Sequence, residues 1–176
     1  MRWIRSHRAD ADVVPLADRH YNRQKIGSPQ FGPPGRCLVL KTAACDAFWI
    51  TSWPFAEYVR HAWAGAWVCS AFRNESSHLS SELIRDAVAA TLNEYGTAPT
   101  LGMITFVDHR KIRRKRDPGR CYLRAGFKHC GMTKGGLIAL RLAPEDMPQP
   151  EAPLCDNGAQ TELFPLPTRR QLLDRR

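Results

Sequence analysis

Leu101–Gly136 reads LGMITFVDHRKIRRKRDPGRCYLRAGFKHCGMTKGG. Leu101–Val107 is a nearly unbroken apolar run of strand length, the pattern of a central strand covered on both faces. Asp108 closes it, and an acid there must be solvated, capped or put to use. A dense basic loop follows. Gly119–Ala125 then suits a short helix, and Lys128–Met132 and Leu137–Leu142 suit two strands joined by a Lys134-Gly135-Gly136 turn. Strand, acidic edge and the phenol of Tyr122 describe a cleft, and the basic loop implies that a polyanion visits it.

Working outward, the preceding segment HLSSELIRDAVAATLNEYG repeats apolar residues near a 3.6 period, from Leu79 through Leu83, Ile84, Ala87 and Val88 to Leu92. This predicts a long amphipathic helix, with Ser76 or Ser77 as its cap and Gly96 as its stop. Ala66–Phe72 is the next strand upstream. Cys37–Lys41 and Ala47–Thr51 read as paired strands around a Thr42–Asp46 turn. Lys25–Arg36, with three prolines and three glycines, is a loop. Pro15–Tyr21 suits a short helix with Pro in its first turn, and Trp3-Ile4 an edge strand. From Ala143 the chain turns Pro-rich and polar, which predicts a mostly disordered tail over residues 144–176. The fold class is α+β: one twisted mixed sheet flanked by helices, within residues 1–143.

The 176 residues fit one ordinary domain, and 43% hydrophobic content supports a core. No apolar window is long enough to span a membrane, and the N-terminal arginines lead into no apolar signal segment. Six cysteines without a CxxC pair argue against a zinc ribbon or a disulfide framework and fit a reducing cytoplasm. The net charge of +9 predicts an anionic partner. Arg110, Lys111, Arg113, Arg114, Lys115, Arg116, Arg120, Arg124 and Lys128 place nine cations in 19 residues against Asp117 alone. Such a cluster binds nucleic-acid phosphates by counterion release; a solvated face or a KIRRKR localisation signal are the other readings.

The element order, with Cys121-Tyr122-x-x-Ala125-Gly126-Phe127 after the central strand, resembles the GNAT acyltransferase fold. The chain more closely resembles the Mom family of phage DNA-modification proteins, a divergent branch of that fold. The matching pieces are His20-Tyr21-Asn22-Arg23, Phe72-Arg73-Asn74-Glu75-Ser76, Thr105-Phe106-Val107-Asp108, and Gly119-Arg120-Cys121-Tyr122 through Gly131-Met132-Thr133. They span Asp18 to Gly136. The resemblance implies an enzyme that acts on double-stranded DNA in a bacterial host, modifies the exocyclic amine of adenine and shields the DNA from restriction. It puts His20, Arg73, Thr105, Asp108 and Tyr122 at functional positions. The Gly-rich loop that cradles the pyrophosphate of acyl-CoA in that fold is replaced by Arg73-Asn74-Glu75-Ser76-Ser77-His78. The donor is therefore acetyl-CoA bound in another way, or a different activated group.

In that frame Asp108 takes a proton or orients the base, unless it caps the strand or pairs with the basic loop. Tyr122 protonates a leaving group, unless its ring is simply core. His20 is a general base or a helix-end residue. Thr105 holds substrate or only suits a strand. Arg73, with Asn74 and Ser76, binds the donor, unless Arg73 pairs with Glu75 or Glu82. A metal held by His20, Asp108 and His61 or His109 has no supporting spacing. Trp49 and Trp67 are core, whereas Trp53 and Phe55, in irregular chain, are core or a stacking platform for an extruded base. Gln160–Phe164 (QTELF) resembles the peptide by which bacterial DNA enzymes dock on the sliding clamp. Two other functions remain open: a conventional CoA-dependent N-acetyltransferase of a protein or small amine, and a non-catalytic nucleic-acid-binding protein.

Overall fold

The structure is a computed structural model that describes residues 1–55, 57, 59, 61–111 and 117–155. Its strands are β1 (Ile4–Ser6), β2 (Cys37–Lys41), β3 (Ala47–Ser52), β4 (Trp67–Asn74), β5 (Met103–Val107), β6 (Lys128–Met132) and β7 (Ile138–Leu142). Its helices are α1 (Val14–Asp18), α2 (Ser80–Tyr95) and α3 (Arg120–Arg124). The strands form one open mixed sheet in the order β1-β2-β3-β4-β5-β7-β6. Every neighbouring pair is antiparallel except β4 and β5, which are parallel.

Side-chain alternation assigns the two faces. Leu38, Leu40 and Trp49 pack under α2 with its Leu83, Ile84, Ala87 and Val88. Val39, Phe48 and Ile50 point the other way, onto Leu16 and Ala17 of α1. Because β3 is covered on both faces, all six of its residues are buried, which is why it reads as a continuous apolar run. Each fully buried Leu or Ile of α2 contributes about 1.5–3 kcal/mol of transfer free energy, so its stripe fixes the helix to the sheet.

Two expectations change. Neither Ser76 nor Ser77 caps α2: Leu79 holds the cap position without a side-chain bond, and the Ser76 hydroxyl turns to Asn74 instead. Gly96 does end the helix, at φ 78°, its N–H meeting the Leu92 carbonyl. The stretch after Ala143 is also not structureless throughout. Met147 packs on the main core, the Leu154 amide donates to the Trp3 carbonyl at 2.8 Å, and Leu154 bridges Ile4 in parallel. The packed unit thus runs past residue 143. The QTELF peptide lies outside the described residues.

The sheet is divided where its strands β4 and β5 pair in parallel. β4 and β5 pair over just three rungs, Trp67–Met103, Val68–Ile104 and Cys69–Thr105. Beyond them β4 stays on β3 to Asn74, and β5 stays on β7 to Val107. Ser70 has no register partner on β3, since Ile50 faces Ala71 and Thr51 faces Cys69, although its hydroxyl meets that of Ser52 at 2.6 Å. That bulge bends β4 where it leaves β5, and the two strands open a cleft between their C-terminal halves.

Candidate active site

Tyr122 sits at the apex of the cleft. Its hydroxyl lies 3.5 Å from the Cys69 sulfur and engages the Thr105 hydroxyl, so it touches both residues of the last β4–β5 rung. Thr105 Oγ1 also donates to the Cys69 carbonyl at 3.4 Å. Edge contacts to Phe72 and Phe127, with centroids 6.2 and 5.4 Å away, set the Tyr122 ring. The turn that delivers it needs glycine. Gly119 has φ +77°, and a Cβ there would lie 2.7 Å from Leu140 and 3.2 Å from Val107. Burial pushes the Tyr122 phenol well above 10 and the Cys69 thiol up to about 12. Both stay protonated at neutral pH. Tyr122 is thereby suited to donate a proton or hydrogen bond, and Cys69 is a poor nucleophile.

Tyr21 occupies the space between the parted strands. It borders a cavity of about 360 Å³ on the α2 side, with Phe72, Val107 and Tyr122, and one of about 140 Å³ on the opposite face, with Val68, Phe106 and Asp108. The cleft is therefore open to both faces of the sheet, with Tyr21 between them. Its ring stacks on His20 at 4.6 Å. Its hydroxyl bonds to the Asp108 backbone and, although the residue is 39% exposed, desolvation of the phenol raises its pKa. Sequence reasoning quoted Tyr21 in a motif but assigned it no role. Its importance depends on a hairpin and a bulge far along the chain, and only its adjacency to His20 pointed to it.

Asp108 and His20 flank this centre, and neither is a ready base. Asp108 is 7% exposed. Arg110 grips its carboxylate through Nε at 2.9 Å and a second guanidinium nitrogen at 3.2 Å, and the Arg110 backbone N–H adds a bond at 3.1 Å. Those bonds hold the Asp108 pKa below its usual value. Pairing with the basic loop, one of the readings open in the sequence, is the one observed. His20 accepts the Asn22 N–H on Nδ1 at 3.2 Å. Burial, aided by the Arg73 charge, drops its pKa to about 4, against a smaller opposing effect from a hydrogen bond to the Phe72 backbone. It is neutral at pH 7 and its ring is fixed.

The expected donor-binding residues are occupied by the protein itself. Arg73 Nε donates to Glu75 at 2.6 Å, and its guanidinium also meets the Arg19 carbonyl. Arg19 clasps the same Glu75 from the other side, with bonds of 3.0 and 2.7 Å. The two guanidiniums lower the Glu75 pKa to about 2. Asn74 donates to the His78 carbonyl and the Ser80 hydroxyl, and accepts from both the backbone and the hydroxyl of Ser76. Ser76 Oγ then accepts the His78 N–H. This turn spends its polar groups on its own shape, so in this structure Arg73, Asn74 and Ser76 build the turn. Arg73, Asn74 and Ser80 still line the α2-side cavity.

Of the basic run, Arg120 lines the α2-side cavity, and Lys111, Arg120 and Arg124 are exposed. Arg120 is 4.0 Å from Asp117, and Lys128 is held by Asp146 at 2.8 Å. Arg113, Arg114, Lys115 and Arg116 lie outside the described residues. Trp53 and Phe55 do not join the cleft. Trp53 follows β3, whose end lies beside the start of β4, and it packs on Trp67 and Tyr95 beneath Arg36. Ser80, at the start of α2, borders the cleft, while Tyr95 ends that helix, about 24 Å away for 16 residues. Trp53 and Phe55 line a separate cavity with Arg36 and Gly65, not the cleft. Among the described residues, no three His, Cys, Asp or Glu side chains converge as metal ligands, so His20, Asp108, His61 and His109 form no such group. None of the six cysteines forms a disulfide, and no described helix is long and apolar enough to cross a membrane.

No family model, curated protein or solved structure matches this chain.

Proposed function

We propose that this protein is a group-transfer enzyme of the Mom-like type on a GNAT-type scaffold, and that it modifies a base amine in DNA. The carrying observation is the parallel β4–β5 pair that parts after three rungs around two tyrosines. A cleft open to both faces lets a donor and an acceptor meet from opposite sides, and in sequence the strand on one side of it leads directly into the chain's densest run of cations. Of that run, the exposed Lys111, Arg120 and Arg124 suit a phosphate backbone.

The chemistry follows from what each group can hold. The acceptor nitrogen bonds to the activated carbon of the donor and loses one proton, while the bond from that carbon to its leaving group breaks. Tyr122, kept protonated by burial, supplies the leaving group's proton and regains one from solvent. Asp108 takes the amine proton once Arg110 turns from it to a DNA phosphate, a competition that would couple DNA arrival to the release of the base. Because the β4–α2 turn is satisfied internally and contains the anionic Glu75, the donor is not gripped by a diphosphate cradle there. That weighs against a conventional CoA-dependent acetyltransferase.

Mass spectrometry of nucleosides from DNA of cells making the protein tests the proposal. A new adduct, absent with Tyr122→Phe, is expected. No adduct from cells containing folded wild-type protein would sink it, and DNA binding without an adduct would point to a non-catalytic DNA-binding role.

A further inference from the structure

We propose that the cavity between α1, the Gln30–Pro34 loop and the β3–β4 strands is the pocket that receives the acceptor base, which it recognises by carboxamide groups. The inference rests on the nucleobase-transfer reading and adds the place where the base sits. The cavity measures about 410 Å³, within the range of small-molecule pockets. Its lining includes the apolar Phe31, Phe48 and Ala71 and three residues that carry carboxamides, Asn22, Gln24 and Gln30. Phe31 and Phe48 meet edge to face at 5.8 Å, which holds those walls rigid. Flat apolar walls with a few polar groups suit a planar heteroaromatic ring.

The charge of the pocket selects for the same ligand. No carboxylate is among its described lining residues. Its one cation, Arg23, is engaged by Asp18 at 2.7 Å and by the Gln30 carbonyl at 2.9 Å. His20 is neutral. A neutral ring is thus favoured over an anion, in contrast to the cationic rim.

Position ties the pocket to the chemistry. Asn22 and Ser70 line both this pocket and the 140 Å³ cavity beside Asp108, and His20 lines both this pocket and the Tyr122 cavity. The pocket thus adjoins the cleft, so a ring seated here could reach it. A carboxamide pairs bidentately with an adenine, donating to N7 and accepting one hydrogen from the exocyclic amine. The second amine hydrogen is then left for the cleft.

The test uses two readouts on the full chain. Ligand-observed NMR titration with 2′-deoxyadenosine and with thymidine reports the pocket directly, whether or not transfer occurs. Deoxyadenosine should bind better than thymidine, and Asn22→Leu and Gln30→Leu should each weaken it about fivefold or more, the lower end for a bidentate base contact. Both positions are exposed, so the variants should fold, and a thermal melt confirms this. Tyr122→Phe should bind deoxyadenosine like wild type. The second readout is adduct formation on duplex DNA, where the same Leu variants should lose kcat/KM. Binding indifferent to both Leu substitutions, or equal for both nucleosides, overturns the pocket. Adduct formation unaffected by both overturns it too, while leaving the transfer reading intact. Variant-sensitive deoxyadenosine binding in a wild-type protein that forms no adduct supports the pocket and defeats the transfer reading instead.

Discussion

The Tyr122 hydroxyl and the Cys69 sulfur lie 3.5 Å apart across the last rung that β4 and β5 share. This contact marks the point where the sheet stops being continuous. A short helix after a basic loop closes it, so the phenol stands at the apex of the cleft and not on the surface. Removing its oxygen takes away a proton donor while leaving the ring that fills the apex.

Tyr122→Phe should therefore separate catalysis from folding. Loss of a positioned acid costs about 10²–10⁴-fold in rate. Loss of one neutral hydrogen bond costs only about 1 kcal/mol of stability. Adduct yield by mass spectrometry should fall by about 10²-fold or more, with the thermal midpoint nearly kept. A variant that melts early and loses activity in proportion would show the hydroxyl to be structural.

Arg110→Ala should release the Asp108 carboxylate. Its pKa is depressed chiefly by that guanidinium, so the substitution should move the titration up toward the ordinary 3.8. Carbon-detected NMR of the carboxyl group reads this. In wild-type protein, duplex DNA should move the same resonance in the same direction as a phosphate draws Arg110 away. An Asp108 signal indifferent to saturating DNA would rule out the coupling between DNA arrival and base release.

The Arg19–Glu75–Arg73 triad predicts an acid-labile element. Glu75 is ordinarily half-protonated at 4.5, and folding lowers this to about 2. The unfolded chain thus takes up the proton first as pH falls. The stabilisation is complete above about pH 4.5 and is lost as pH drops toward 2. The carboxylate is one-third exposed, so solvent screening keeps the effect to about 1 kcal/mol. Urea midpoints measured across this window should fall less steeply in Glu75→Gln than in wild type.

His20 should titrate near pH 4, well below an ordinary histidine at 6.5. In its case the depressed value means that the unfolded imidazole charges first. Its stabilising contribution is complete above 6.5 and fades as pH falls toward 4. Proton NMR of the ring should show no protonation at pH 6. The pH–rate profile should consequently lack an inflection from this residue between 6 and 7. An ordinary midpoint there would restore His20 as a candidate base.

Much of the sheet was legible because β2, β3 and β5 are covered on both faces, so their apolar runs needed no partner to be recognised. The α2 stripe was equally local. What could not be read depends on pairings between distant residues. Leu154 bridges Ile4 across the whole domain, so a Pro-rich, polar composition concealed an ordered segment. Arg73–Glu75 was among the pairings the sequence allowed, but Arg19, 56 residues from Glu75, was not. Asp108, Tyr122, His20 and Thr105 were grouped as catalytic candidates; Tyr122 meets Thr105 at the last β4–β5 rung, while Asp108 lines the cavity on the opposite face. Tyr21 was overlooked because a Tyr beside a Gly/Pro loop has no period or spacing to distinguish it.

Trp53 supplies the test of where the functional end of the sheet lies. Its indole contacts Trp67 and Tyr95 at centroid distances of 5.9 and 5.6 Å, with the Arg36 guanidinium 4.8 Å above it. Arg36 also lies 4.4 Å from the Tyr95 ring, so the four side chains close one end of the α2–sheet core. Removing the indole forfeits aromatic packing and one cation–π contact. Burying it on only part of its surface puts the cost of Trp53→Ala at about 2–4 kcal/mol. The cleft is at the other end of α2 and shares no lining residue with the Trp53 cavity. At a temperature where the variant is folded, adduct formation on DNA should match wild type. Chemical unfolding and the adduct assay together decide the matter: a folded Trp53→Ala protein without activity would mean that the far end of the sheet also handles DNA.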